Sequence, residues 1–192
     1  MKIAKITILA AMAILAVGCQ NEKKNANIPV NKDTQADLQA DETKFGECVN
    51  ATSNTFQLVQ IDGDTLDFIV EEQYLDQNDS LVTGDVVCGG LYDGNKMAVM
   101  GTPSDEGMVV RKAINLTSLM GRWTSLDKNF EIKDGGVVES HVQNESNPYT
   151  EWKILNGKLV LSKDTFNILS IGNDSLYLEN EKGIYAYKRQ VE

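Results

Sequence analysis

His141 is the single histidine of the chain, and acid–base or metal chemistry at an imidazole has to be done there. It follows Ser140, yet no G-x-S-x-G elbow surrounds a serine, so a Ser-His-acid triad has no poised nucleophile. Zinc takes three or four nitrogen and sulfur ligands, and one histidine with distant cysteines is not such a set. The histidine therefore reads as a surface residue at a strand end. Asp62, Asp64 and Asp67 are carboxylates of the kind calcium takes, but EF-hand spacing and its terminal glutamate are missing. A hairpin turn at Asp62-Gly63 accounts for them. Met97, Met100 and Met108 are soft ligands of the kind Cu(I) takes. Positions 97 and 100 face opposite sides of a strand, so these methionines read as core fillers. The chain reads as a binder and not an enzyme, with no metal and no cofactor.

The aromatic residues of the second half are the set best suited to line a binding site: Trp123, Phe130, Tyr149, Trp152, Phe166, Tyr185 and Tyr187. Trp152 alternates with Ile154, and Phe166 with Ile168, so on strands these side chains share one inner face. Two readings stay open, a ligand-binding lining or the packed core of a small sheet, because small barrels are filled with side chains. Tyr149, beside Pro148, reads as a rim residue at a loop end.

Positioning these residues takes an all-β architecture in two parts. Residues 20–42 are polar, with mixed charge and almost no large apolar side chain, and read as a disordered tether. About 23 such residues average roughly 25–30 Å end to end. Residues 43–102 read as a small β module with strands at 46–51, 56–61, 66–70, 82–90 and 96–101. A polar stretch at 71–79 separates the third strand from the fourth. Five strands broken after the third fit an OB-like barrel, which hides its own edges. In that topology the first and fourth strands are neighbours, which makes Cys48 and Cys88 a candidate disulfide. Pro103, Gly107 and several charges mark 103–114 as a linker. Residues 115–192 begin with a short capped helical turn at 115–120 and continue as a meander. Its strands are expected at 129–132, 137–141, 150–155, 158–161, 166–171, 175–178 and 184–188. Asp134-Gly135-Gly136, Asn156-Gly157, Gly172-Asn173-Asp174 and Lys182-Gly183 supply the turns.

Charge narrows the partners. The chain carries a formal charge of −10, and without residues 1–19, which hold Lys2, Lys5 and no acid, the charge is −12. Such a surface repels nucleic acid, whose binding rests on Lys and Arg. It is equally unsuited to anionic lipid.

Two stretches carry family resemblances. Met1-Lys2-Ile3-Ala4-Lys5, the apolar run Ile6–Val17 and Ala16-Val17-Gly18 before Cys19 resemble a bacterial lipoprotein signal (residues 1–19), with Leu15 one place further back than usual. The apolar run is too short to span a bilayer as a helix. The resemblance implies a mature N-terminus at Cys19 bearing acyl chains, which hold the protein at the membrane. Gln20 is not the aspartate that retains such proteins at the inner membrane, so the outer membrane is implied, on its periplasmic face or at the cell surface. Second, Gly121-Arg122-Trp123 after a helical turn is similar to the G-x-W opening of lipocalins. The whole 115–190 stretch, with Trp152 in its middle and Tyr185-Ala186-Tyr187-Lys188-Arg189 at its end, resembles the lipocalin-like domain of Bacteroidetes lipoproteins. The preceding β module resembles the one found before that domain.

In lipocalins a basic residue of the last strand packs across the tryptophan, which implies Lys188 or Arg189 here. About 78 residues is short for an eight-stranded calyx. The family implies binding of a small apolar or amphipathic ligand. The alternatives are a docking module for an envelope protein, with an exposed apolar patch and a filled interior, or an envelope stress or metal sensor. A redox sensor would need Cys48 and Cys88 close together and exposed.

Overall fold

The computed structural model describes residues 41–71, 73–75, 81–83 and 86–190. Cys19, the signal segment and the tether up to residue 40 lie outside the described residues.

The chain is nearly all β and forms two barrels. In the first, β1 (Lys44–Val49), β2 (Thr55–Gln60) and β3 (Thr65–Ile69) form a meander. The β2–β3 turn falls at Asp62-Gly63, where Gly63 takes a φ of 92°. After β4 (Gln73–Leu75), β5 (Leu81–Thr83) and β6 (Val87–Cys88) come β7 (Lys96–Ser104) and β8 (Gly107–Asn115). The sheet order is β3-β2-β1-β7-β8, and β3 pairs in parallel with β8 through Phe68↔Met108 and Ile69↔Val109, which closes a five-strand barrel. Alternate residues point inward: Phe56 and Leu58 from β2, Phe68 from β3, Met97 and Val99 from β7, Val110 and Ala113 from β8. Phe56 and Phe68 stack with ring centroids 5.1 Å apart. Met97 is fully buried here, as its reading as a core residue requires.

The linker expected at 103–114 is instead the end of β7 and nearly all of β8. Ser104 pairs with Gly107 and Pro103 with Met108, so the Pro, Gly and charges belong to a hairpin, not a spacer. Barrel closure demands that strand, since without β8 both β3 and β7 would present open edges. The strand expected at 82–90 is correspondingly not the fourth wall of the barrel. β4 and β5 pair with each other, and β6 pairs in parallel with β8.

The disulfide expectation fails for the same reason. β1 lies between β2 and β7, and β6 lies beyond β8. Cys48 and Cys88 are both free and buried. Cys48 sits in the first core, where burial and then the Asp93 carboxylate push its thiol pKa up. Cys88 faces the second core and directs Sγ at the Ile168 carbonyl, 3.5 Å away. With the pair apart and buried, the exposed pair that a redox sensor needs is not formed.

No spacer separates the barrels. Asn115, the last residue of β8, caps α1 (Leu116–Leu119) by accepting from Ser118 N at 2.9 Å, and its Nδ2 donates to Gly90 O. Ala98 and Ile114, on the outer side of the first barrel, pack into the second core. Lys112 Nζ donates to Ile168 O at 2.8 Å, where β14 bulges.

The second barrel follows: β9 (Gly121–Thr124), β10 (Asn129–Ile132), a 3₁₀ turn at Asp134–Gly136, β11 (Val138–Ser140), β12 (Trp152–Leu155), β13 (Lys158–Leu161), β14 (Asp164–Ile171), β15 (Ser175–Asn180) and β16 (Gly183–Arg189). Asn156 and Gly157, at φ 47° and 69°, make the primed turn that suits the twist of a two-residue hairpin. The order β11-β10-β9-β16-β15-β14-β13-β12 forms an eight-strand antiparallel barrel that is nearly closed. A single bridge, Val137↔Glu151, and Trp152 Nε1 donating to Lys133 O at 2.7 Å stitch the seam.

Candidate functional site: a side cleft in the second barrel

One end of the second barrel is plugged from below. Trp123 is fully buried and its Nε1 donates to Leu119 O at 2.8 Å, which ties α1 across the opening. Arg189 lies over the indole, 4.1 Å from guanidinium carbon to ring centroid. Its Nη1 donates to Met120 O and its Nε to Asn173 O, both at 2.8 Å, and Nη2 donates to Ser118 O. Of the two basic residues at the strand end, Arg189 therefore takes the tryptophan-covering place. Gly121 is required beneath it, because a Cβ there would lie 2.6 Å from Nη1.

The interior is filled. Trp123, Phe130, Phe166 and Tyr187 are each at most 3 % exposed, interleaved with Ile132, Ile154, Leu159, Leu161, Ile168, Leu176 and Leu178. Phe130 meets Tyr187 edge-to-face at 5.2 Å, and Phe166 meets Tyr185 likewise at 5.6 Å. Most of the aromatic set is thus core. Trp152 is only half-buried and serves the seam.

Tyr149, expected at a rim beside Pro148, is 8 % exposed and borders a small cleft with Pro148 and Asp164. It is buried at the other end of the barrel, edge-on to Phe130 at 5.4 Å, with Lys128 Nζ 4.5 Å above its ring. Lys128 pairs with Glu145 and donates to Asn147 O at 2.9 Å, and Ser140 donates to Glu145. These contacts fold residues 141–149 over that end. Burial, and then the Asp164 carboxylate, push the Tyr149 phenol up to about 12. Burial also raises Tyr187. Both hydroxyls stay protonated at neutral pH.

His141 is half-buried just past β11, with Nε2 3.4 Å from Glu131 Oε2. The ligand atoms of Glu131, Glu139 and His141 lie within 4.8 Å of one another, near enough to share a cation. Lys133 already supplies one, 3.6 Å from Glu131 and ion-paired with Glu139. That pairing gives the cluster a structural explanation.

Among the described residues, a smaller cleft of about 360 Å³ lies beside Tyr149 at the covered end, and a roomier one lies in the wall. β9 ends at Thr124, and Ser125 N bonds Lys128 O to turn the chain into β10. β16 continues for several residues beyond that point, and the two strands pair only at Lys188↔Thr124 and Arg189↔Trp123. The gap is an open cleft of about 750 Å³, lined by Leu126, Tyr177, Ile184, Tyr185, Ala186 and Tyr187, with Asp127, Asp174 and Lys188 among its polar groups. Leu126 is fully exposed, Ile184 64 % and Tyr177 42 % exposed. Of the predicted aromatic residues, only Tyr185 and Tyr187 reach this cleft. Leu126, Tyr177 and Ile184 were missed, because strand alternation places Tyr177 and Ile184 on the outside. Their signal is their type, since they are large and apolar at a hairpin tip and at outward positions.

Residues 115–190 match the family model described as lipocalin-like, which makes this stretch a lipocalin-like domain. No curated protein and no solved structure matches the chain.

Proposed function

We propose that this protein is a lipid-anchored envelope protein whose lipocalin-like domain binds a small apolar or amphipathic molecule in the side cleft, by burial and without catalysis. The observation that carries the reading is the cleft itself: solvent-open, about 750 Å³ and largely apolar, it falls within the range of small-molecule sites. A domain of the lipocalin-like type is consistent with ligand binding in general. The anchor rests on the Ala16-Val17-Gly18-Cys19 motif, and outer-membrane placement on Gln20. The closed first barrel, with its parallel β3–β8 closure, supports an OB-like reading and acts as the mount between tether and binding domain.

Native mass spectrometry of the full-length product, purified from its producing cells in mild detergent, tests this reading. Expected is an added mass that leaves on denaturation, together with a covalent acyl mass on an N-terminal Cys19. Protein at its acylated mass alone, across several non-denaturing detergents, would count against the ligand. An unmodified, uncleaved N-terminus would overturn the anchor.

A second reading, docking of an envelope protein, is favoured by the filled interior and by the outward Leu126, Tyr177 and Ile184. It predicts a stable complex with one protein and no small added mass.

A further inference from the structure

The unpaired length of β16 gives the cleft more than apolar contact. β15 and β16 are joined by a two-residue loop with Asn180 opposite Gly183, and Arg189 N donates to Asp174 O. In an antiparallel pair, hydrogen-bonded positions alternate. The odd-numbered residues of β16 therefore bond to β15. The even-numbered ones face β9, as Gln190 N donating to Arg122 O at 2.9 Å shows. Lys188 still has Thr124 opposite it, but Ala186 and Ile184 have no residue of β9 opposite them. Their N–H and C=O groups open into the cleft.

We propose that the cleft takes a free oligopeptide in extended form, which lies along β16 as a short added strand. This rests on the side-cleft reading of the function and names its ligand class. A fatty chain fills apolar space but leaves the N–H and C=O groups of Ala186 and Ile184 without partners once water is displaced, and such groups are costly to bury unpaired. A peptide main chain satisfies them in register, the usual form of strand addition. Tyr185 and Tyr187 face its alternate side chains from the floor, while Leu126 and Ile184 flank them. The length fits, since five strand residues cover roughly 17 Å. Thr124 opposite Lys188 stops the cleft, so the bound chain has an end there, which selects a free peptide over an internal segment of a protein. Asp127 and Asp174 outnumber Lys188 among the charged lining groups of an acidic protein, so a basic residue in the peptide is favoured.

The test is a titration of the full-length protein in detergent with three probes. They are a fluorescein-labelled hexapeptide of alternating valine and threonine ending in lysine, the same peptide methylated on alternate amide nitrogens, and palmitate. Expected is saturable binding of the first and at least tenfold weaker binding of the second. Ala186→Pro removes the N–H aimed into the cleft and fixes φ at about −65°, which a strand position not bonded to its neighbour tolerates; it is expected to keep the thermal unfolding midpoint and weaken the first peptide at least fivefold. Equal affinity for the plain and methylated peptides would show that the main chain is not read, and the proposal would fall. Palmitate bound without either peptide would also overturn it, while leaving the side-cleft function standing. No binding of any probe would remove both. Equal affinity for the same hexapeptide displayed within a folded protein loop would overturn the requirement for a free end.

Discussion

The two barrels build their walls in different ways, and the difference lies in strand length. In the first, β7 and β8 are both nine residues long and pair almost throughout, and β8 then reaches β3 to seal the wall. In the second, a four-residue β9 stands beside a seven-residue β16, and the shared register covers only two pairs. Matched strands leave nothing to bind. A mismatch leaves hydrogen-bonding groups and apolar side chains facing a gap, which is the geometry a ligand needs. On the proposed reading, binding in this chain uses an incomplete wall rather than a hollow interior.

The sharpest way to break that comparison is to attack the strand that seals the first barrel. Val110 is fully buried on β8. Val110→Asp places an unpaired carboxylate in an apolar core, which costs several kcal/mol. The expected outcome is loss of cooperative unfolding or a midpoint lowered by more than ten degrees, read by circular dichroism. A shift within a degree or two would mean that 103–114 behaves as a spacer after all.

That strand also shows where the sequence was legible and where it was not. The meander of the second barrel was readable because its turns are chemically marked. Asp134-Gly135-Gly136 and Asn156-Gly157 fall between strands, and Lys182-Gly183 leads from the β15–β16 turn into β16, all close to the expected positions. β8 and the end of β7 were hidden because their marks mislead: Pro103 in β7 and Gly107, Arg111 and Lys112 in β8 resemble a spacer, and only the need to cover two open edges makes them strand. The same tertiary fact overturned the disulfide, since which strands lie beside β1 depends on the missed one. In the site, type was readable and role was not. Phe166 was placed inward with Trp152, and it is buried where Trp152 is only half-buried at the seam, but whether an interior is lumen or core depends on how many side chains of that size converge, which no local pattern records. Arg189 was one of two residues named for its place, and register chose it: Arg189 pairs directly with Trp123, while strand alternation puts the exposed Lys188 on the other face.

The plugged end of the second barrel offers the next test. Arg189→Ala removes the guanidinium from Trp123 and leaves the Ser118, Met120 and Asn173 carbonyls without their donor. A loss of about 2–4 kcal/mol is expected in denaturant unfolding. Arg189→Lys should recover less than half of it, because an ammonium has no planar fork to serve three carbonyls. Full recovery would reduce the contact to charge alone.

A smaller effect separates the covered end from the exposed cleft by pH. Tyr149 has its phenol raised to about 12, against an ordinary value near 10, so the folded state holds that proton more tightly than the unfolded one. Its contribution is complete below about pH 10 and is lost as pH rises through 12. Tyr149→Phe should flatten the alkaline limb of the stability curve in part, with Tyr187, raised in the same direction, retaining the rest of the slope. An unchanged limb would mean that residues 141–149 do not shield that end.

The smallest expected change in stability carries the most about function. Leu126 and Ile184 face solvent, so truncating them opens no cavity, and surface replacements of this kind stay within about 0.5 kcal/mol. Leu126→Ser and Ile184→Ser, singly and together, should leave the unfolding midpoint where it was. In the cleft, however, each supplies a wall that a ligand covers, and losing one apolar wall should weaken a bound ligand several-fold. The same exchange at Ile61, which is equally exposed but on the first barrel, should change neither stability nor binding. If all three substitutions behaved alike in a binding titration, the open wall would be an accident of strand length and the contrast between the barrels would lose its meaning. If only the two cleft substitutions act, the two-residue pairing of β9 with β16 is what makes the second barrel a receptor.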